Sequence, residues 1–197
     1  MAKMFRSMQE EQLAVMLKKG AVGILPTDTV YGIVGSAQLP SVVGRIHEVK
    51  RRTGKLGTVI AASIEQLIEL GLSESDLRTV EHLWPNPLSV IIAADDSLRY
   101  LHLDVGSVAV RIPKDDVLLR LLKVTGPLAT TSANLADQPT VATISEAQDV
   151  FRDTVDFYVD GGILQNRPPS SIIKLDDGKV TVLRPGAVTI NEQGQIT

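Results

Sequence analysis

The stretch Ala21-Val22-Gly23-Ile24-Leu25-Pro26-Thr27-Asp28-Thr29-Val30-Tyr31-Gly32 decides how the chain is organised. The apolar run Ala21 to Leu25 is too short for a helix and is stopped by Pro26, so it predicts a buried strand. The residues after it, Pro26 to Gly32, predict a loop at the strand's end. On the N-terminal side, Ser7 with Glu10 three residues on is a capping-box signal. It opens a helix whose Leu13, Met16 and Leu17 share one face and which ends at Gly20. On the C-terminal side, Val42, Val43, Ile46 and Val49 recur at helical spacing. A strand between two helices is the unit of an α/β protein.

The same alternation continues outward. Thr58 to Ala62 predicts a strand, and Ser63 with Gln66 caps a helix. Trp84-Pro85-Asn86-Pro87 is a turn before a strand from Leu88 to Ala93. Ser107 to Ile112 reads as a strand ended by Pro113, Asp115 to Val124 as a helix, and Leu128 to Ser132 as a strand. An irregular loop, Asn134 to Thr143, precedes a helix from Ser145 to Arg152 with Ser145 as its cap. Ser171 to Leu175 and Val180 to Leu183 flank Asp177-Gly178, a strong hairpin signal. The expected fold class is α/β: one twisted mixed sheet flanked by helices, crossovers early and a hairpin late, in a single domain over 1–197.

Composition narrows the function. The 197 residues are 44% hydrophobic and 22% charged, the balance of a soluble globular protein. There is no cysteine, which excludes a disulfide scaffold, a thiolate nucleophile and an iron–sulfur site. The net charge of -3 argues against a general nucleic-acid coat but leaves room for a local basic pocket. The N-terminus, MAKMFRSMQEEQ, has no apolar signal region, and no apolar run is long enough to span a bilayer. A cytoplasmic location without membrane contact is expected.

Four groups of residues could carry chemistry. Lys50, Arg51, Arg52 and Lys55 crowd four positive charges at a helix end. They are either a solvated surface run or a phosphate site. They are not a Walker A loop, since Val49 stands where its first glycine belongs and Leu56 follows Lys55. Thr130-Thr131-Ser132-Ala133-Asn134, after an apolar strand, is either an anion grip or plain cap and Asx-turn chemistry. Arg111, on the apolar strand Val108-Ala109-Val110, needs an anion: an internal Asp or Glu, or a ligand carboxylate. Pro169-Ser170-Ser171 and Arg184-Pro185-Gly186 bracket the terminal hairpin as turns. His47, His82 and His102 show neither metal nor triad spacing.

In this order the motifs resemble the Sua5/YciO/YrdC/YwlC family, over about Glu11 to Gly186. The marks are Leu25 to Gly32, Lys50-x-Arg52, Trp84-Pro85, Val108 to Pro113, Thr131 to Asn134, Pro169 to Ser171, and Arg184 to Gly186. The resemblance implies a YrdC-like (DHBP synthase-like) fold with a concave, positively charged site, in the short form without a further C-terminal domain. It implies synthesis of threonylcarbamoyl-AMP and pyrophosphate from L-threonine, bicarbonate and ATP, for the threonylcarbamoyl modification of tRNA adenosine. By the same resemblance Lys50, Arg52, Ser132 and Asn134 form a catalytic tetrad at the ATP phosphates, with Lys55 beside it. Ser107 and Arg184 then touch the nucleotide side, Thr29 and Ser170 contact threonine, and Arg111 pairs the threonine carboxylate. Mg2+ is expected only as the ion that accompanies ATP, with no dedicated protein ligands. The implied partners are a downstream threonylcarbamoyl transferase complex and tRNA or double-stranded RNA. Three positions depart from the family pattern: Thr53 replaces a proline, Leu135-Ala136-Asp137 lacks a glycine, and Lys174 stands where an Asp is usual. A YciO-type paralogue and an RNA-binding module without synthase activity are the alternative readings.

Overall fold

The computed structural model describes residues 1–51, 57–136, 138–176, 179–191 and 194–197. Its strands are β1 (Lys3–Phe5), β2 (Gly23–Pro26), β3 (Tyr31–Ser36), β4 (Thr58–Ile60), β5 (Leu88–Ala93), β6 (Ser107–Arg111), β7 (Leu128–Ser132), β8 (Phe157–Val159), β9 (Ser171–Asp176) and β10 (Lys179–Arg184). Its α-helices are α1 (Glu11–Lys18), α2 (Pro40–Lys50), α3 (Ile64–Leu70), α4 (Glu74–Val80), α5 (Arg99–His102), α6 (Asp116–Thr125) and α7 (Ile144–Phe151). The strands form one mixed sheet in the order β1-β8-β2-β3-β7-β4-β6-β5-β9-β10. β5 and β7 have the predicted bounds, and β9 pairs antiparallel with β10 as the hairpin signal requires. The turn itself, Asp177-Gly178, lies outside the described residues.

The early part of the sheet departs from the expectation. The predicted loop ends at Val30, and Tyr31–Ser36 is a strand that returns antiparallel to β2 with Tyr31 opposite Pro26. There is therefore an early hairpin as well as a late one. All six residues of β3 are buried, so no polar alternation marks the strand, and its two glycines disguise it further. Both glycines answer to close approach. A Cβ on Gly32 would lie 2.7 Å from Thr130 Oγ1, and one on Gly35 would lie 2.4 Å from a Val42 methyl. β1 and β8, three residues each and paired in parallel at the sheet's margin, are too short to show a period.

Two helix starts also differ. Glu10 takes the amides of Arg6 and Ser7, but the Ser7 hydroxyl takes Gln9, and α1 begins at Glu11. For α7 the cap is Thr143, whose hydroxyl accepts from Glu146, in place of the expected Ser145.

The two sheet faces are covered unequally, and this positions the site. Successive strand residues point to opposite faces. Ile24, Ile33, Val59, Val90, Val108, Val110 and Ile173 enter one apolar cluster with Val42, Val43 and Ile46 of α2, Leu67 of α3, Leu77 of α4 and Leu101 of α5. On the other face Phe5, Leu25, Val34, Ile60, Leu128, Phe157 and Val159 pack with Leu13 and Leu17 of α1 and Leu118, Leu121 and Leu122 of α6. That second cluster includes no residue of β5, β6, β9 or β10. Their residues on this face, Ser89, Ile91, Ala109, Arg111, Ile172 and Lys174, lie where α1 and α6 do not reach.

Candidate active site

The half-covered face holds a cavity of about 550 Å³. Its walls carry many hydroxyls and three cations, Arg111, Lys174 and Arg184, and no acidic side chain among the described residues. Of the predicted site residues, Thr29, Ser107, Arg111, Ser132, Ser170 and Arg184 line it directly. They come from five separate stretches of chain, and the sheet order brings them to one place.

One pole of the cavity is built around Arg111, at the end of β6. Its side chain is 4% exposed and pairs with Asp28, itself 2% exposed, at 2.9 Å. Asp28 is held in turn by the Lys114 amide at 3.2 Å. The internal partner left open by the sequence is thus present, but it does not use the whole guanidinium. Nη1 donates to Ser89 Oγ at 3.4 Å, and Nε is buried without a partner. A buried unpaired donor costs on the order of 1–3 kcal/mol. Burial pushes the Arg111 guanidinium below its ordinary value, against the opposing pull of Asp28.

Arg184 closes the same pole. Its Nη2 donates to Ser170 O at 2.6 Å and Ser170 Oγ at 3.0 Å, and its Nε to Ser170 O at 3.1 Å. Burial lowers its pKa, and the neighbouring Arg111 charge lowers it further. Two guanidiniums that repel each other across a shared cavity favour an anion between them. The two turn motifs are halves of one joint. A Cβ on Gly186 would lie 2.3 Å from Pro169 O and 2.7 Å from Ser170 C, so glycine alone lets this turn lie against that backbone.

The other pole is the end of β7, where Ser132 lines the cavity and its hydrogen-bonded partners, Lys50 at the end of α2 and Asn134, do not. Lys50 is only 2% exposed, and its ammonium donates to Ser132 O at 2.5 Å, Ser132 Oγ at 3.1 Å and Asn134 Oδ1 at 2.6 Å. Ser132 Oγ also donates to Asn134 Oδ1 at 2.6 Å. Asn134 spends its amide on Leu135 O and Gln138 O, which closes the loop after β7. The Thr-Ser-Ala-Asn motif is therefore both turn chemistry and a mount for a charge. α2 ends at Lys50 and is capped by Arg51, whose φ of 50° is left-handed. Arg52 and Lys55 lie outside the described residues.

Between the poles stands the turn of residues 27–30. Thr27 Oγ1 donates to Val30 O at 2.6 Å and accepts from the Thr29 amide at 3.2 Å, which fixes Thr29 against the cavity. Three contributors carry no signal of their own in the sequence. Asp28 sits between two threonines and is identified only by Arg111's need for an anion. Ser89 lies inside the apolar strand β5, where its in-out position is the one clue. Gly32 matters for the side chain it lacks.

The Sua5/YciO/YrdC family model, described as "Telomere recombination", matches residues 15–186. A threonylcarbamoyl-AMP synthase of Vibrio campbellii is 31% identical over 184 residues, covering 89% of this chain and 98% of that one. A threonylcarbamoyl-AMP synthase of Pyrococcus abyssi is 29% identical over 184 residues, 91% of this chain and 54% of that one. Among solved structures, P. abyssi Sua5 complexed with L-threonine aligns with a TM-score of 0.83 at 27% identity, over 96% of this chain and 58% of that one. E. coli YciO aligns with a TM-score of 0.80 over 94% of this chain and 96% of its own, but at 22% identity the likeness is one of fold alone. With most of the motifs meeting at one cavity and the family model matching most of its length, the chain belongs to the Sua5/YciO/YrdC family.

Proposed function

We propose that the protein is a threonylcarbamoyl-AMP synthase acting on L-threonine, bicarbonate and ATP. The observation that carries this reading is the cavity itself: three cations, a dense set of hydroxyl donors and no acidic side chain among the described residues. Its volume of about 550 Å³ lies within the usual range for small-molecule sites. The reaction brings three anions together, and such a lining offsets their mutual repulsion. The synthases of V. campbellii and P. abyssi, and the threonine complex of P. abyssi Sua5, support the assignment.

In this reading the threonine carboxylate meets the Arg111 guanidinium and the Ser170 hydroxyl, with Thr29 beside them. The amine attacks bicarbonate, a C–N bond forms, water leaves, and N-carboxy-threonine results. A carbamate oxygen then attacks the α-phosphorus of ATP. The new O–P bond forms as the bond to the bridging oxygen breaks, and pyrophosphate departs with its Mg2+. Lys50, Ser132 and Asn134, with Arg52 and Lys55, hold the phosphates. Ser107 and Arg184 hold the nucleotide side. The attacking oxygen is already anionic, so the step needs no covalent nucleophile, and positioning with electrostatics supplies the catalysis. The product passes to a transferase complex that modifies tRNA.

The test is pyrophosphate release by the purified chain with ATP and Mg2+, leaving out each substrate in turn. Release is expected only when L-threonine and bicarbonate are both present. Release that ignores threonine would contradict the synthase.

A further inference from the structure

Ser89 belongs to none of the motifs above, yet it sits beneath the floor of the cavity with no solvent exposure. Its Oγ lies 3.4 Å from Arg111 Nη1 and 3.1 Å from Ser170 Oγ, and these are its side-chain partners among the described residues. Proton accounting favours the arrangement in which the wholly buried Ser89 proton has an acceptor among the described residues. A guanidinium can only donate, so Ser89 accepts from Arg111. The Ser89 proton then has Ser170 Oγ as its acceptor. Ser170 Oγ also accepts from Arg184 Nη2 at 3.0 Å, so both of its lone pairs are taken. Its own proton is left for the cavity that Ser170 lines. The floor thus presents the Ser170 O–H as a donor beside the Arg111 guanidinium.

We propose that Ser89 is a specificity-determining positioning residue, which fixes the Ser170 hydroxyl as a donor and so commits this end of the cavity to a carboxylate. The proposal rests on the assignment of threonine to this pole. Without the Ser89 hydroxyl, Ser170 regains an open lone pair and can turn its proton away. The floor then accepts as readily as it donates. A carboxamide, which brings N–H donors of its own, gains relative to a carboxylate.

The experiment measures binding of L-threonine and of L-threoninamide by calorimetry, alongside pyrophosphate release. It uses wild type, S89A, S170A and S89A/S170A, and the isosteric pair S89T and S89V, which differ only in the hydroxyl. S89A is expected to weaken threonine binding roughly five- to tenfold, the effect of one neutral hydrogen bond, and to narrow the preference over threoninamide. The double variant should bind no worse than S170A, because Ser89 acts through Ser170. S89T should keep the wild-type preference and S89V should lose it, which separates the hydroxyl from packing should S89A fold poorly. Unchanged selectivity in S89A or S89V, or additive losses in the double variant, overturns the proposal while leaving the synthase intact. A wild type that binds threonine without releasing pyrophosphate refutes the synthase, with Ser89 still judged on binding. A wild type that binds no threonine refutes both.

Discussion

Two of the arginine–aspartate pairs among the described residues, Arg45–Asp156 and Arg111–Asp28, are built differently. Arg45 of α2 meets Asp156, just before β8, through two bonds: Nη1 to Oδ2 at 2.5 Å and Nη2 to Oδ1 at 2.9 Å. Asp156 Oδ2 also takes the Val22 amide at 2.8 Å. About a third of each side chain is exposed. Arg111 meets Asp28 through one bond, is almost wholly buried, and keeps a donor unpaired. The electrostatics diverge in the same sense. At Arg45 the hydrogen bond to Asp156 raises the pKa above its ordinary value, and at Arg111 burial lowers it. A complete pair at a partly wet position ties chain segments together. An incomplete pair that is almost wholly buried is costly to the folded state.

The largest effect is expected from breaking the buried pair. R111K keeps a charge beside Asp28 but loses the planar fork. It should cut kcat/KM for threonine by about 100-fold while near-normal circular dichroism shows that it folds. D28N removes the charge that holds Arg111 in place. A loss of activity of about 30-fold is expected, together with about 2–3 kcal/mol of stability measured by urea unfolding. G186A alters no charge but pushes a methyl into the 169–171 backbone. It should displace Ser170 and Arg184 together, lowering activity about tenfold, and a crystal structure of the variant would show the shift.

The smallest effect belongs to the half-exposed pair. Burial alone would raise the Asp156 carboxyl, but the Arg45 and Val22 donors outweigh it and hold the pKa below the ordinary value. A carboxylate of this kind contributes its stability above the unfolded-state pKa and loses it as the pH falls through the folded value, so the contribution fades below about pH 4. D156N should therefore cost at most about 1 kcal/mol at neutral pH, lessen the acid dependence of unfolding, and leave turnover unchanged. A marked fall in turnover would erase the distinction between the two pairs.

The same contrast explains what the sequence reveals. β5 and β7 are legible because each is an apolar run bounded by turn residues. β3 is not, because burial on both faces removes the polar alternation and two close approaches demand glycine. Arg111 is legible as a charge in an apolar strand, and its need for an anion follows from burial. Which anion it meets is set by a hairpin that places Asp28 beside the end of β6, a long-range fact that no local pattern encodes. Ser132, Asn134 and Lys50 are separately weak signals, and they become one site only when α2 and β7 end side by side. Lys174, the departure from the family pattern, lines the cavity together with Arg111 and Arg184.

In the proposed reaction the carboxyl group activated by ATP comes from bicarbonate and not from threonine itself. Incubation of the purified chain with ATP, Mg2+, L-threonine and 13C-labelled bicarbonate, followed by mass spectrometry of the adenylate, tests it most directly. The expected product is threonylcarbamoyl-AMP carrying one labelled carbon. An unlabelled threonyl adenylate, or no adenylate at all, would contradict it.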